Sequence, residues 1–199
     1  MKRQSLKIKL SFSGALMVLA LFLTHSYLSL AALLAAAIHE AGHIVAARIC
    51  NIELGELKLG IFGASLTPKT LLCSYKKEIF LCVAGPLVNL ISALLLSPFF
   101  NSSSGFGGLF ISASLFLGIL NLLPIYEFDG GRILFCLLSA RLSIRSSARI
   151  IKVISFTIIF SLWCLSVYLL LRLSSSLSLF VFSLTLFSKI FLLQSENSY

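Results

Sequence analysis

The sequence predicts an all-α polytopic membrane protein, and three observations predict it. Of 199 residues, 58% are hydrophobic and only 12% charged, with a mean hydropathy of +1.03. That apolar share is well above what soluble domains carry. About six apolar runs reach membrane-spanning length. Segments bearing charge, glycine or proline separate several of these runs.

The first run extends from about Leu10 to Thr24, near the lower limit for a span. Thr24-His25-Ser26-Tyr27 interrupts it, and Leu28 to about Ile49 forms the second. Ile79 to Phe100 is the third, Phe106 to Ile125 the fourth, Ile150 to Leu171 the fifth and Leu177 to Leu193 the sixth. Between the second and third, Ile52 to Lys77 is too polar and glycine-rich to span. Glu56-Leu57-Lys58-Leu59-Gly60-Ile61 alternates with period two, which predicts a short β-ribbon with one covered face. An ordinary membrane-surface loop is the alternative. Such a ribbon offers a strand edge at Leu57 to Ile61 on which an extended peptide can pair. The whole chain, 1–199, reads as one integral membrane domain with a core at 28–140 and accessory helices over 150–193.

The formal charge of +9 does not point to nucleic acid, because the basic residues lie between apolar runs and form no single patch. They set topology and meet lipid headgroups instead. With the N-terminus in the cytoplasm, Lys2 to Lys9, Arg48 to Lys77, Arg132 to Lys152 and Lys189 all fall on that side. The positive-inside rule therefore predicts cytoplasmic N- and C-termini. Five cysteines show no C-x-x-C pair, so reduced thiols are expected and no disulfide framework.

One pentad breaks the apolar pattern. His39-Glu40-Ala41-Gly42-His43 puts three ionisable groups where hydrocarbon tolerates few, and such groups at membrane depth are usually functional. Residues four apart share a helix face, so both imidazoles can reach one metal ion. Glu40 flanks that face, placed to handle the proton of a water and not to ligate. The bland alternative is a pair of histidines satisfied inside a helix bundle. A cleaved signal peptide is also disfavoured: Ala35-Ala36-Ala37 offers a cleavage site, but cutting there would leave the pentad at a new N-terminus.

A catalytic zinc takes three protein ligands and a water. The chain has only seven acidic residues and three histidines. His25 belongs at the opposite membrane face, Glu53, Glu56 and Glu78 in the polar connection, and Glu196 in the tail. Glu127 and Asp129 remain, in Asn121-Leu-Leu-Pro124-Ile-Tyr-Glu127-Phe-Asp129-Gly130-Gly131. Pro124 breaks the fourth helix there, and broken backbone at membrane depth is tolerated where it lines a cavity.

With these residues in view, the chain resembles the site-2 proteases, the M50-type intramembrane zinc metalloproteases. The resemblance rests on the pentad, on Ala84-Gly85-Pro86-Leu-Val-Asn89, and on Asn121-x-x-Pro124-x-x-x-x-Asp129-Gly130-Gly131, in the family's order. It reaches from about Leu28 to Leu138 and looks most like the compact branch containing stage IV sporulation protein FB. The chain departs from the family in Glu127-Phe128, where proline and leucine are frequent, and no PDZ or CBS module is expected.

The resemblance implies one Zn²⁺ held by His39, His43 and Asp129, with Glu40 as the catalytic acid and base. It implies substrate-binding residues Asn121, Pro124 and Asn89, the last in a motif that borders the active site. The implied partners are a membrane-associated protein substrate, such as a pro-sigma or anti-sigma factor, the bilayer of a bacterial cell, and a membrane regulatory protein. Two rival readings are a metal carrier, which would not need Glu40, and an inactive scaffold, which would not need four buried polar groups.

Overall fold

Ser26 opens the first helix of the computed structural model. Its extended backbone (φ −94°, ψ 141°) lets its hydroxyl accept from the Ser29 amide at 3.1 Å, satisfying a donor that has no partner within the helix. The structure describes residues 7–10, 26–52, 54–60, 63–68, 74–100, 105–173 and 180–188. In chain order these form β1 (Lys7–Leu10), α1 (Tyr27–Ile49), β2 (Leu54–Gly60), β3 (Gly63–Pro68) and α2 (Tyr75–Leu96). A 3₁₀ turn (Ser97–Phe99), α3 (Phe106–Leu122), α4 (Asp129–Ser139) and α5 (Ile144–Leu173) follow. Residues 180–188 are also helical.

The chain divides into two compact units, Met1–Leu122 and Leu123–Tyr199. Among the described residues three helices are long and apolar enough to cross a membrane: Tyr27–Ile49, Tyr75–Phe99 and Ile144–Arg172. Phe106–Asn121 is apolar but shorter. Of the six expected spans, the first lies outside the described residues beyond Leu10, and the sixth is described only over 180–188. His25 and Cys73 lie outside them as well. Cys50, Cys82, Cys136 and Cys164 form no disulfide among the described residues.

In the first unit α1, α2 and α3 pack pairwise against one another. The inward face of α1 is made of small residues, Ala31, Ala35, Gly42 and Ala46, while Leu30, Leu34, Val45 and Ile49 are exposed. A soluble helix does the reverse. In lipid, large side chains gain nothing by turning inward, and small ones let backbones approach closely. At Gly42 an added Cβ would stand 2.8 Å from the Ala84 carbonyl oxygen, so the α1–α2 crossing needs glycine there.

The end of α1 is a Schellman motif. Asn51 takes φ 52°, its amide bonds the Arg48 carbonyl at 3.2 Å, and the Ile52 amide reaches back to Ala47 at 2.9 Å. Ile52 then packs on Ala46, Ala47 and Leu81. Lys77 Nζ donates to the Cys50 carbonyl at 3.1 Å, tying the start of α2 to this terminus.

The strands form one sheet in the order β1-β2-β3, with β1 parallel and β3 antiparallel to β2. This corrects the expectation of a free strand edge at Leu57 to Ile61. β2 is the central strand, so its backbone groups are shared between Ile8–Leu10 on one side and Ala64–Leu66 on the other. Among the described residues, the sheet's outer edges belong to β1 and β3.

α2 runs from Tyr75 to Leu96, four residues earlier at each end than the sequence reading has it, and α4 is a helix absent from that reading. Two further boundaries also differ. α3 ends at Leu122, not Ile125, because Pro124 supplies no amide and disfavours helical backbone at the residue before it. α5 starts at Ile144, not Ile150: Ser143 accepts from the Ser146 amide at 3.2 Å and extends the helix back through basic Arg145 and Arg149. In this second unit the α5 face bearing Ser147, Ile151, Ser155 and Ile159 is fully buried. Ser166 lies 3.3 Å from Ser183 of the 180–188 helix, hydroxyl to hydroxyl.

Candidate metal centre

α1 carries His39 and His43 one turn apart on the face turned towards α2, and both are buried. The opposing face of α2 repeats every four residues, at Leu81, Gly85 and Asn89. Each of these three meets an imidazole.

The Leu81 carbonyl lies 2.8 Å from His43 Nδ1. A carbonyl only accepts, so Nδ1 carries the ring proton and Nε2 presents its lone pair. This arrangement, one ring nitrogen anchored on a backbone carbonyl and the other free to ligate, is how proteins usually orient a metal-binding histidine.

Gly85 makes room for the pair. A Cβ there would overlap His43 Nε2 and stand 2.9 Å from His39 Nε2. Asn89 is fully buried, with Nδ2 placed 3.4 Å from His39 Nδ1.

The two Nε2 atoms face each other at 3.1 Å, with the rings nearly perpendicular at 83°. Two nitrogens bound to one zinc at about 2.0–2.1 Å in tetrahedral geometry stand roughly 3.3 Å apart. The pair therefore fits two corners of a zinc site without moving either helix. Glu40, next along α1, is partly exposed as a residue, with its Oε2 buried.

The remaining sequence candidates belong to other elements of the chain. Asn121 ends α3, and its Nδ2 donates back to the Leu117 carbonyl at 3.0 Å. Pro124, Glu127 and Asp129 belong to the second unit. There Ile125 and Phe128 are buried, and the Phe128 amide closes a turn on the Ile125 carbonyl at 2.9 Å. Asp129 is the first residue of α4, where a carboxylate meets the positive end of the helix dipole. Gly131 is required by the same turn, because a Cβ there would overlap the Ile125 carbonyl. The Tyr126 amide donates to Ser155 Oγ at 2.8 Å, anchoring the turn on α5.

Two participants carry no metal-site signature in the sequence. The Leu81 carbonyl is backbone and leaves no side-chain signal, although its spacing of four from Gly85 shows which α2 face it shares. Gly42 lies within the pentad, but only the closeness of Ala84 reveals why glycine stands there.

Residues 101–165 match the family model of Peptidase family M50. A zinc metalloprotease of Methanocaldococcus jannaschii is 32% identical over 120 residues, covering 57% of this chain and 34% of that protein. The chain thus spans about a third of the length of this curated relative. The solved site-2 protease from Methanocaldococcus jannaschii superposes with a TM-score of 0.67 at 24% identity, covering 96% of this chain and 91% of that one. Residues 101–165 are thus similar to Peptidase family M50, and the chain shares its fold with the solved site-2 protease.

Proposed function

We propose that the chain is a zinc-dependent intramembrane metalloendopeptidase that cuts membrane-associated proteins near the cytoplasmic side of the bilayer. The observation that carries this reading is the His39–His43 pair, with opposed Nε2 atoms 3.1 Å apart and His43 Nδ1 on the Leu81 carbonyl. The M50 match and the curated zinc metalloprotease support it.

His39 and His43 supply two neutral nitrogen ligands, and Asp129 supplies the third ligand as a carboxylate. Zinc, when bound there, would supply the Lewis acidity to activate a water and polarise a peptide carbonyl. Glu40 takes the water's proton and later delivers it to the leaving amine. Being beside His39 on the helix but not on the ligand face, it does this without competing for the metal. A helical substrate hides its carbonyls in its own hydrogen bonds, so it must unwind to be cut. Asn121 and Pro124 flank the broken backbone after α3 and hold that unwound segment.

The natural substrate class is a single-span or membrane-tethered protein, such as a pro-sigma or anti-sigma factor, in a bacterial cell membrane with a membrane regulator. Both termini face the cytoplasm, and the chain works as one domain in the manner of the compact sporulation protease branch. Co-expression with candidate single-span proteins tests this. Product that forms with the parent chain and not with Glu40→Gln supports it, and identical product from both contradicts it.

A further inference from the structure

α5 is the least buried of the three helices long enough to cross a membrane, and one of its faces changes character along its length. Arg145, Arg149, Lys152, Phe156, Phe160 and Trp163 recur at intervals of three or four residues, so they share one side of the helix over about five turns. The buried residues Ser147, Ile151, Ser155 and Ile159 lie on a different side. Arg145 and Arg149 are exposed and Lys152 is half-buried. Among the described residues none of these three cations is in an ion pair.

The length of the helix says where the cations stand. Val153 to Leu171 carries no charge, and at about 1.5 Å per residue it spans roughly 28 Å, close to the thickness of a bilayer's hydrocarbon layer. A span seated on that segment puts Arg145, Arg149 and Lys152 among the headgroups of one leaflet and Arg172 among those of the other. The three cations then form a strip roughly 10 Å long, running down to the edge of the hydrocarbon.

Below the strip, the same face is a ladder of rings. Phe156 and Phe160 stack with centroids 6.1 Å apart and an interplanar angle of 11°, and Trp163 follows 6.1 Å beyond Phe160. Phe187 of the 180–188 helix leans on Phe156 at 5.8 Å and gives the ladder a side wall. Phe156 and Phe160 are nonetheless 48% and 47% exposed. Unpaired cations above an open apolar ladder fit a molecule with a phosphate at one end and a hydrocarbon chain at the other. A soluble anion would use the cations alone.

We propose that this face of α5 binds an anionic phospholipid, with its phosphate on Arg145, Arg149 and Lys152 and an acyl chain along Phe156, Phe160 and Trp163. Charge complementarity selects the lipid class. A zwitterionic headgroup brings its own cation to the strip and gains less from three positive side chains. The site lies wholly within the second unit and does not depend on the zinc site proposed above.

Trp163 is the chain's single tryptophan, so its fluorescence reports on this face directly. The full-length chain is reconstituted in phosphatidylcholine vesicles doped with either phosphatidylglycerol or more phosphatidylcholine, the dopant brominated at mid-chain, where bromine quenches on contact. One cation near an anionic surface contributes about fivefold in binding, so the brominated phosphatidylglycerol is expected to half-quench Trp163 at a mole fraction about tenfold lower than the brominated phosphatidylcholine. The combined change Arg145→Gln, Arg149→Gln and Lys152→Gln brings the two curves together, while Arg172→Gln, at the far end of the helix, leaves them apart. Equal quenching by the two lipids in the parent chain overturns the proposal without recourse to any variant. So does a preference that survives the triple change, or one that Arg172→Gln also abolishes. A preference lost in inorganic phosphate but kept in chloride of equal ionic strength overturns it too, because a free anion then fills the strip.

Discussion

Gly85 stands against the His43 imidazole so closely that a Cβ at that position would lie 2.6 Å from Cε1. The contact makes the glycine a condition for the histidine pair and not a helix-packing convenience. Gly85→Ala must push at least one ring aside, and His43 cannot yield without losing Leu81.

Gly85→Ala is therefore expected to lower zinc affinity by about tenfold or more, comparable to losing an outer partner of a ligand. Gly105→Ala is the matched control, since a Cβ there meets nothing within 4 Å. Metal content per chain, measured on monodisperse samples, checks this. Equal zinc in the two variants would contradict it.

The third ligand gives the next expectation. Asp129→Ala should lose zinc and cleavage together, while Glu127→Ala should keep its metal. Metal analysis showing the reverse would move the ligand role to Glu127.

The turn that presents Asp129 depends on Ser155. Ser155 is fully buried and accepts from the Tyr126 amide. Ser155→Ala leaves that donor without its acceptor and should destabilise the protein by about 1–3 kcal/mol. Ser161→Ala removes only an exposed hydroxyl bonded within its own helix, to Thr157, and should be nearly neutral. Thermal unfolding in detergent compares the two.

Much of this was legible in the sequence because hydropathy and helix periodicity are strong local signals. Residues four apart must share a face, so the His39–His43 pairing follows from spacing alone. The break at Pro124 follows from a missing amide. What spacing does not encode is which backbone atom a side chain meets on another helix. His43 on the Leu81 carbonyl and Asn89 against His39 depend on how α1 and α2 cross, and that crossing is set by the absence of a Cβ at Gly42. The β2 edge was misread for a related reason. Alternation in residues 56–61 signals a strand, but Lys7–Leu10, its parallel partner, is remote in the chain and carries no local mark of pairing. The early start of α5 turned on a serine cap, a signal that the apolar run beginning at Ile150 obscured.

The central claim is that Glu40 moves a proton at a zinc held by other residues. Glu40→Gln keeps the side chain's size and leaves both histidines and Asp129 in place. The measurement is zinc per chain and substrate cleavage on the same purified sample, beside the parent. The account predicts near-parental zinc with cleavage reduced by about 10²–10⁴-fold, the usual loss for a general base. Cleavage at the parental rate by a zinc-loaded Glu40→Gln chain would contradict it.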